Sequence, residues 1–170
     1  MVDLTDNAGN KILSGPENWY KIVLADGSEF GIGYSPGGYY WVGIVPAGHG
    51  MVVRYQRFPG DDRLNQGWPI GDKGYFRCMQ IDKVGKTLLL NLSMLHRRGY
   101  VSQMAEHPAH GMRAEQLAHN RVALYGYDEQ GKLGGLRVIW NSGERNVDEG
   151  WIEPDYYAAH LTGLDCEFVK

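Results

Sequence analysis

The chain has 170 residues, 43% of them hydrophobic and 22% charged, with a net charge of −3 and a pI near 6.0. That length suits one domain, residues 1–170, with a core of its own. No apolar run approaches the roughly 18 residues of a membrane span, and no global basic field attracts nucleic acid or anionic lipid.

The opening MVDLTDNAGNKILSGPENW lacks a basic n-region and an apolar h-region, so a cytoplasmic location, or export without a cleaved signal, is expected. WYKIVL (19–24), Asp26-Gly27 and EFGIGY (29–34) spell a hairpin. A two-residue type I′ turn there predicts that Leu24 faces Glu29, Val23 faces Phe30 and Ile22 faces Gly31. Ser35-Pro36-Gly37-Gly38 offers a second turn, which sets Gly33 opposite Tyr40, Ile32 opposite Trp41 and Gly31 opposite Val42. These registers put Tyr20, Ile22, Gly31, Gly33, Tyr40 and Val42 on one face. The other face then holds Trp19, Val23, Phe30, Ile32, Tyr34 and Trp41, and its aromatics suit either a core or a docking surface.

Further strands are expected over 51–58, 75–81 and 87–95, then as a hairpin over 121–127 and 132–140, and finally over 165–169. Two segments look helical. Pro108 opens one that runs to His119, and Pro154 opens one that runs to Leu161 with Gly163 as its terminator. Long connections over 59–74 and 141–150 remain. The fold class is mainly β, a single antiparallel sandwich or barrel with one or two short helices.

Several chemistries are missing from the sequence. It contains no P-loop, no GxGxxG before a helix, no GxSxG elbow, no HExxH and no EF-hand loop. Cys78 and Cys166 sit in alternating apolar runs and read as reduced core thiols, and no base stands near Cys78. The segment EHPAHGMRAEQLAH gathers His107, His110, Glu115 and His119. On a helix Glu115 and His119 share one face, as acid–base or metal chemistry requires, whereas the plainer alternative is a solvated helix. Glu144, Asp148 and Glu149 form an acidic loop that could hold calcium through oxygens, and acidic loops are also common without metal. Arg54, Arg57, Arg63, Lys73 and Arg77 alternate with core positions and are diluted by aspartates, which fits a solvated strand face and no nucleic-acid binding.

The aromatic surplus points elsewhere, with eleven tyrosines, five tryptophans and 24 glycines. Trp68 stands in the 59–74 connection beside Asp61, Asp62, Arg63, Asn65 and Gln66, and Trp151 follows the second long connection. A ring among amides, acids and a guanidinium suits a polyhydroxyl ligand, and a loop tryptophan equally suits a plug that pins its loop. The expected function is therefore a non-catalytic module for a small polar ligand or glycan, lectin-like, with no cofactor. The alternatives are a protein-interaction or inhibitor domain with an aromatic docking face, or a small metal- or His-dependent hydrolase or toxin-like enzyme.

Overall fold

The structure is a computed structural model, and it describes residues 2–34, 40–81, 87–93, 100–102, 110–140 and 150–170. Twelve strands form among these residues: β1 (Lys21–Leu24), β2 (Glu29–Tyr34), β3 (Tyr40–Val45), β4 (Val52–Gln56), β5 (Tyr75–Ile81), β6 (Thr87–Ser93), β7 (Tyr100–Ser102), β8 (Met112–Ala118), β9 (Arg121–Tyr127), β10 (Leu133–Trp140), β11 (Gly150–Asp155) and β12 (Leu164–Val169). The path β3-β2-β1-β12-β9-β10-β11 returns to β3 through Gly150↔Ile44 and Trp151↔Gly43, which closes a seven-stranded antiparallel barrel. Closure removes the free edges that an open sheet leaves unpaired. From β3 the network continues outward as β7-β6-β5-β4, and β8 adds to β9. The described strands are thus mainly β, as the alternation implies.

Both hairpin registers differ by one residue from those the turns predict. At the first, Gly27 N–H donates to the Leu24 carbonyl at 2.9 Å and Leu24 N–H to the Ser28 carbonyl at 2.8 Å. Ala25, Asp26 and Gly27 therefore make a three-residue loop with Gly27 at φ 87°, the next most common hairpin solution after the two-residue turn. The Asp26 carboxylate holds it by accepting from Ser28 N–H. The pair becomes Val23↔Glu29, and β1 then leaves β2 to run beside β12. At the second hairpin Ile32 pairs Val42, Gly31 pairs Gly43 and Gly33 pairs Trp41. Each slip reverses a face. The buried side of the meander is accordingly Ile22, Leu24, Phe30, Val42 and Ile44.

Neither helical expectation holds among the described residues. Met112 and Ala114 are buried while Glu115 is exposed, and this period of two matches β9 through Ala114↔Leu124 and Gln116↔Val122. A strand partner thereby overrides a helix-like polar sequence. Pro154 lies inside β11 opposite Leu136, and the chain after it bends without coiling. Residues 103–109, with the first part of the expected helix, fall outside the described set.

The two layers meet over an aromatic core. Trp68 is completely buried, stacked on Tyr55 of β4 with ring centres 5.3 Å apart. Phe76 of β5 and Phe168 of β12 stand edge-on to it at 5.2 and 6.0 Å, and Tyr20 reaches Phe168 at 6.1 Å. The indole N–H donates to the Asp72 carbonyl at 3.0 Å, so the ring enters the core with its polar atom satisfied. Gly74 permits this closeness, since a Cβ there would stand 2.6 Å from the indole. Replacing Trp68 by Ala removes the largest buried side chain, and urea denaturation should show a loss of about 3–5 kcal/mol. A loss below about 1 kcal/mol, the scale of surface positions, would contradict this packing.

Candidate functional site

The 59–74 connection places its candidate residues in two groups. Trp68 is the plug, and its buried ring offers no face to a ligand. The polar residues form a rim held largely by one another. Asp61 engages Arg63 through both oxygens, with contacts of 2.7 to 3.0 Å, and this pairing holds the Asp61 carboxyl below the usual range. Asn65 adopts φ 61° and accepts from Asn18 Nδ2 at 3.0 Å. Gln66 accepts from Arg57 at 3.2 Å and receives Ser14 Oγ on its backbone N–H at 2.9 Å. Trp151 is half-buried on β11 of the barrel, opposite Gly43 of β3 and Ile139 of β10, on a different strand set from this rim.

Asp62 points elsewhere. Its Oδ1 accepts from Arg54 Nη2 at 2.9 Å and from Gln56 Nε2 at 3.3 Å. Both donors belong to β4, on the face opposite the core residues Val53 and Tyr55. Such a face is ordinarily wet, yet Arg54 is only 8% exposed and Gln56 only 1%. The 57–62 segment folds back over its own strand, fixed by Gly60 N–H donating to Gln56 Oε1 at 3.3 Å. On the other side the Trp19 ring lies 5.5 Å from the Arg54 guanidinium carbon, a cation–π distance.

Strand pairing extends this cluster into a row. Arg54 pairs Arg77 of β5, Arg77 pairs Asn91 of β6, and Asn91 pairs Ser102 of β7. Four polar positions thus cross four strands in one line. The neighbouring row, Val52, Met79 and Leu89, is apolar. Burial, with the Arg54 guanidinium beside it, draws the Arg77 pKa below the ordinary arginine value, and Asp62 opposes that shift.

The histidine segment does not assemble among the described residues. Glu115 lies within β8, 3.8 Å from Arg113, and His119 occupies the turn after it. The strand and the turn put Glu115 and His119 at different places along the chain's path, where a helix would have stacked them on one face. The His119 ring packs against Gly9, and His110 is half-buried ahead of β8. His107, Glu144, Asp148 and Glu149 lie outside the described residues. Among the described residues no three His, Cys, Asp or Glu side chains gather as metal ligands, and no helix is long and apolar enough to cross a membrane. Cys78 and Cys166 are buried, and burial pushes both thiols well above their ordinary value, away from nucleophilic use.

One buried carboxylate has a structural task. Glu29 opposes its own desolvation with N–H donors from Gly48 at 2.8 Å and Gly50 at 3.1 Å, and with Lys21 at 3.1 Å. Burial raises its pKa, and these partners outweigh that and leave it lowered. A lowered folded pKa gives stability that is present at neutral pH and lost as pH falls below about 4. Glu29→Gln should therefore lower the melting temperature at pH 7 and narrow its gap to the native chain at pH 3. A gap that stays constant with pH would rule out the ionised clamp.

No protein-family model and no curated protein matches this chain.

Proposed function

We propose that this protein is a non-catalytic binding module that holds a small polar ligand on the outer face of the β4–β7 sheet, beneath the rim formed by residues 57–66. The observation that carries this reading is the row of positions Arg54, Arg77, Asn91 and Ser102, with Arg54 buried on the face opposite the core residues Val53 and Tyr55. Burying a guanidinium costs stability unless something compensates it, so a fold that retains one there keeps it for a contact. The site draws on a flat ring at Trp19 and on charges of both signs at Arg54, Arg77 and Asp62. Ligand pockets place such groups for orientation. The aromatic contribution thus moves from Trp68, which is structural, to Trp19.

A thermal-melting panel of neutral glycans, anionic sugars and carboxylates tests the reading. A ligand that binds only the native state at a hundredfold excess over Kd stabilises by about 2.7 kcal/mol, or roughly 5–10 °C for a domain of this size. The shift should vanish in Trp19→Ala and persist in Trp151→Phe. A panel that leaves the melting temperature unmoved throughout, or a shift that survives Trp19→Ala, argues against this site.

A further inference from the structure

We propose that Arg54 and Arg77 form a carboxylate-binding subsite, and that in the free protein the Asp62 carboxylate occupies it in place of the ligand's own. This inference rests on the binding-module reading and names the chemical class of its ligand.

Two like charges directly opposite on neighbouring antiparallel strands have Cβ atoms about 5 Å apart and destabilise the pair. Arg54 and Arg77 stand in that arrangement. Two other arginines meet carboxylates on adjacent strands: half-buried Arg121, whose Nη2 is nonetheless left without a partner, and exposed Arg137. Arg121 meets Asp165 at 2.7 Å and Glu167 at 3.9 Å, and Arg137 meets Glu153 at 2.6 Å across β10 and β11. The Arg54–Arg77 pair meets its anion differently. Asp62 comes from a surface segment, its side chain 59% exposed, and it contacts Arg54 through one oxygen and one nitrogen only.

The next residue in the chain shows what a full contact looks like. Asp61 takes both Nε and Nη2 of Arg63, the forked geometry that makes guanidinium–carboxylate pairs strong and directional. In the Arg54–Arg77 pair, one side chain buried and the other half-buried, the corresponding Nε atoms are both enclosed and both without a hydrogen-bond partner. Buried N–H groups of this kind are rare in folded proteins, and here two of them stand on directly paired positions. A free carboxylate, unconstrained by a backbone, can offer oxygens to both guanidiniums where Asp62 offers one oxygen to one. It would also place a negative charge between two positive ones, removing the repulsion that the unliganded pair retains.

Asp62 reaches Arg54 from an exposed turn, which Asp61 N–H closes by donating to the Phe58 carbonyl at 3.0 Å and Gly60 N–H by donating to Gln56 Oε1 at 3.3 Å. The Asp62 side chain itself is 59% exposed, so its exchange for a ligand carboxylate needs only a side-chain rotation. Trp19 flanks Arg54 with an aromatic ring, which favours an acid carrying a flat apolar body. Benzoate is therefore the probe, with inorganic phosphate and sodium chloride at matched ionic strength as comparators.

Titration calorimetry on the full chain should give saturable benzoate binding that chloride does not reproduce. Arg77→Met should weaken it by about tenfold or more, the loss of one charge-assisted contact. Asp62→Asn keeps the shape of the stand-in and removes its charge, so it should tighten benzoate severalfold, whereas a purely structural Asp62 would yield unchanged or weaker binding. Asp165→Asn, at the Arg121 pair, controls for general loss of negative charge and should change nothing. If Arg77→Met fails to fold, the direction of the Asp62→Asn effect decides alone. Equal effects of chloride and benzoate would mean simple screening and overturn the subsite, and tighter binding of phosphate would overturn the carboxylate assignment. Glycan binding that persists in Arg77→Met upholds the binding module while overturning the subsite. Inertness toward benzoate and the whole ligand panel overturns both.

Discussion

The stack of Trp68 on Tyr55 lies where three separate pieces of chain meet. The 59–74 connection has no strand of its own, the N-terminal residues 2–18 pair only through isolated bridges, and β4 and β5 extend outward from the barrel. All converge on this indole. Leu4 N–H donates to the Trp68 carbonyl at 2.8 Å, Tyr55 and Phe76 bring the outer sheet, and Phe168 brings barrel strand β12. A ring of this size contributes by burial and by the geometry of its aromatic neighbours, so one residue supplies much of the glue between layers. Asn18 adds a smaller polar junction beside it, binding Ser14, Asn65 and Lys170 at 2.6 to 3.0 Å.

The same connection that delivers the plug also delivers the rim. Asp62 and Trp68 are six positions apart, and between them Arg63 and Gln66 are tied to Ser14. The anchored part of the connection fixes where the Gly60–Asp62 turn stands over β4, and the turn is closed by Asp61 N–H on the Phe58 carbonyl and by the Asp61–Arg63 fork. A rigid anchor beside an exposed turn is common in binding loops, because the scaffold sets the position of the side chains that the turn presents. Stability and recognition are thus divided along a few residues of one segment.

Much of the architecture was legible in the alternation of the strands, because half-buried antiparallel pairs impose a period of two. The strands over 75–81 and 121–127 stand where that period puts them. Register was not legible. Asp26-Gly27 admits both a two- and a three-residue loop, and the choice between them reverses the face of β2, while the second slip leaves Val42 of β3 on the side of Ile22, as expected. The segment 112–118 was misleading for a related reason: Arg113, Glu115 and Gln116 are good helix formers, and only the presence of β9 alongside makes them a strand. Trp68 was legible as a ring with two possible tasks, and its neighbours in space, Tyr55, Phe76 and Phe168, decide for the core.

The candidate site was hidden by the same limitation. Arg54 and Arg77 alternate with apolar residues, which on one strand signifies a wet face and nothing more. They lie 23 positions apart, and no local pattern shows that they face each other. Folding brings them opposite, and the return of residues 57–62 over β4 takes Arg54 out of water. Charge repulsion that would be negligible between solvated side chains gains strength as the dielectric falls. The confrontation is therefore a product of the tertiary fold, and so is its remedy. Asp62 is near Arg54 in sequence, but its carboxylate also reaches Arg77 electrostatically because the strands are paired. A single exposed carboxylate serves one buried and one half-buried cation, and their direct pairing across two strands distinguishes them from Arg121 and Arg137 of the barrel wall, each of which meets a carboxylate of its own.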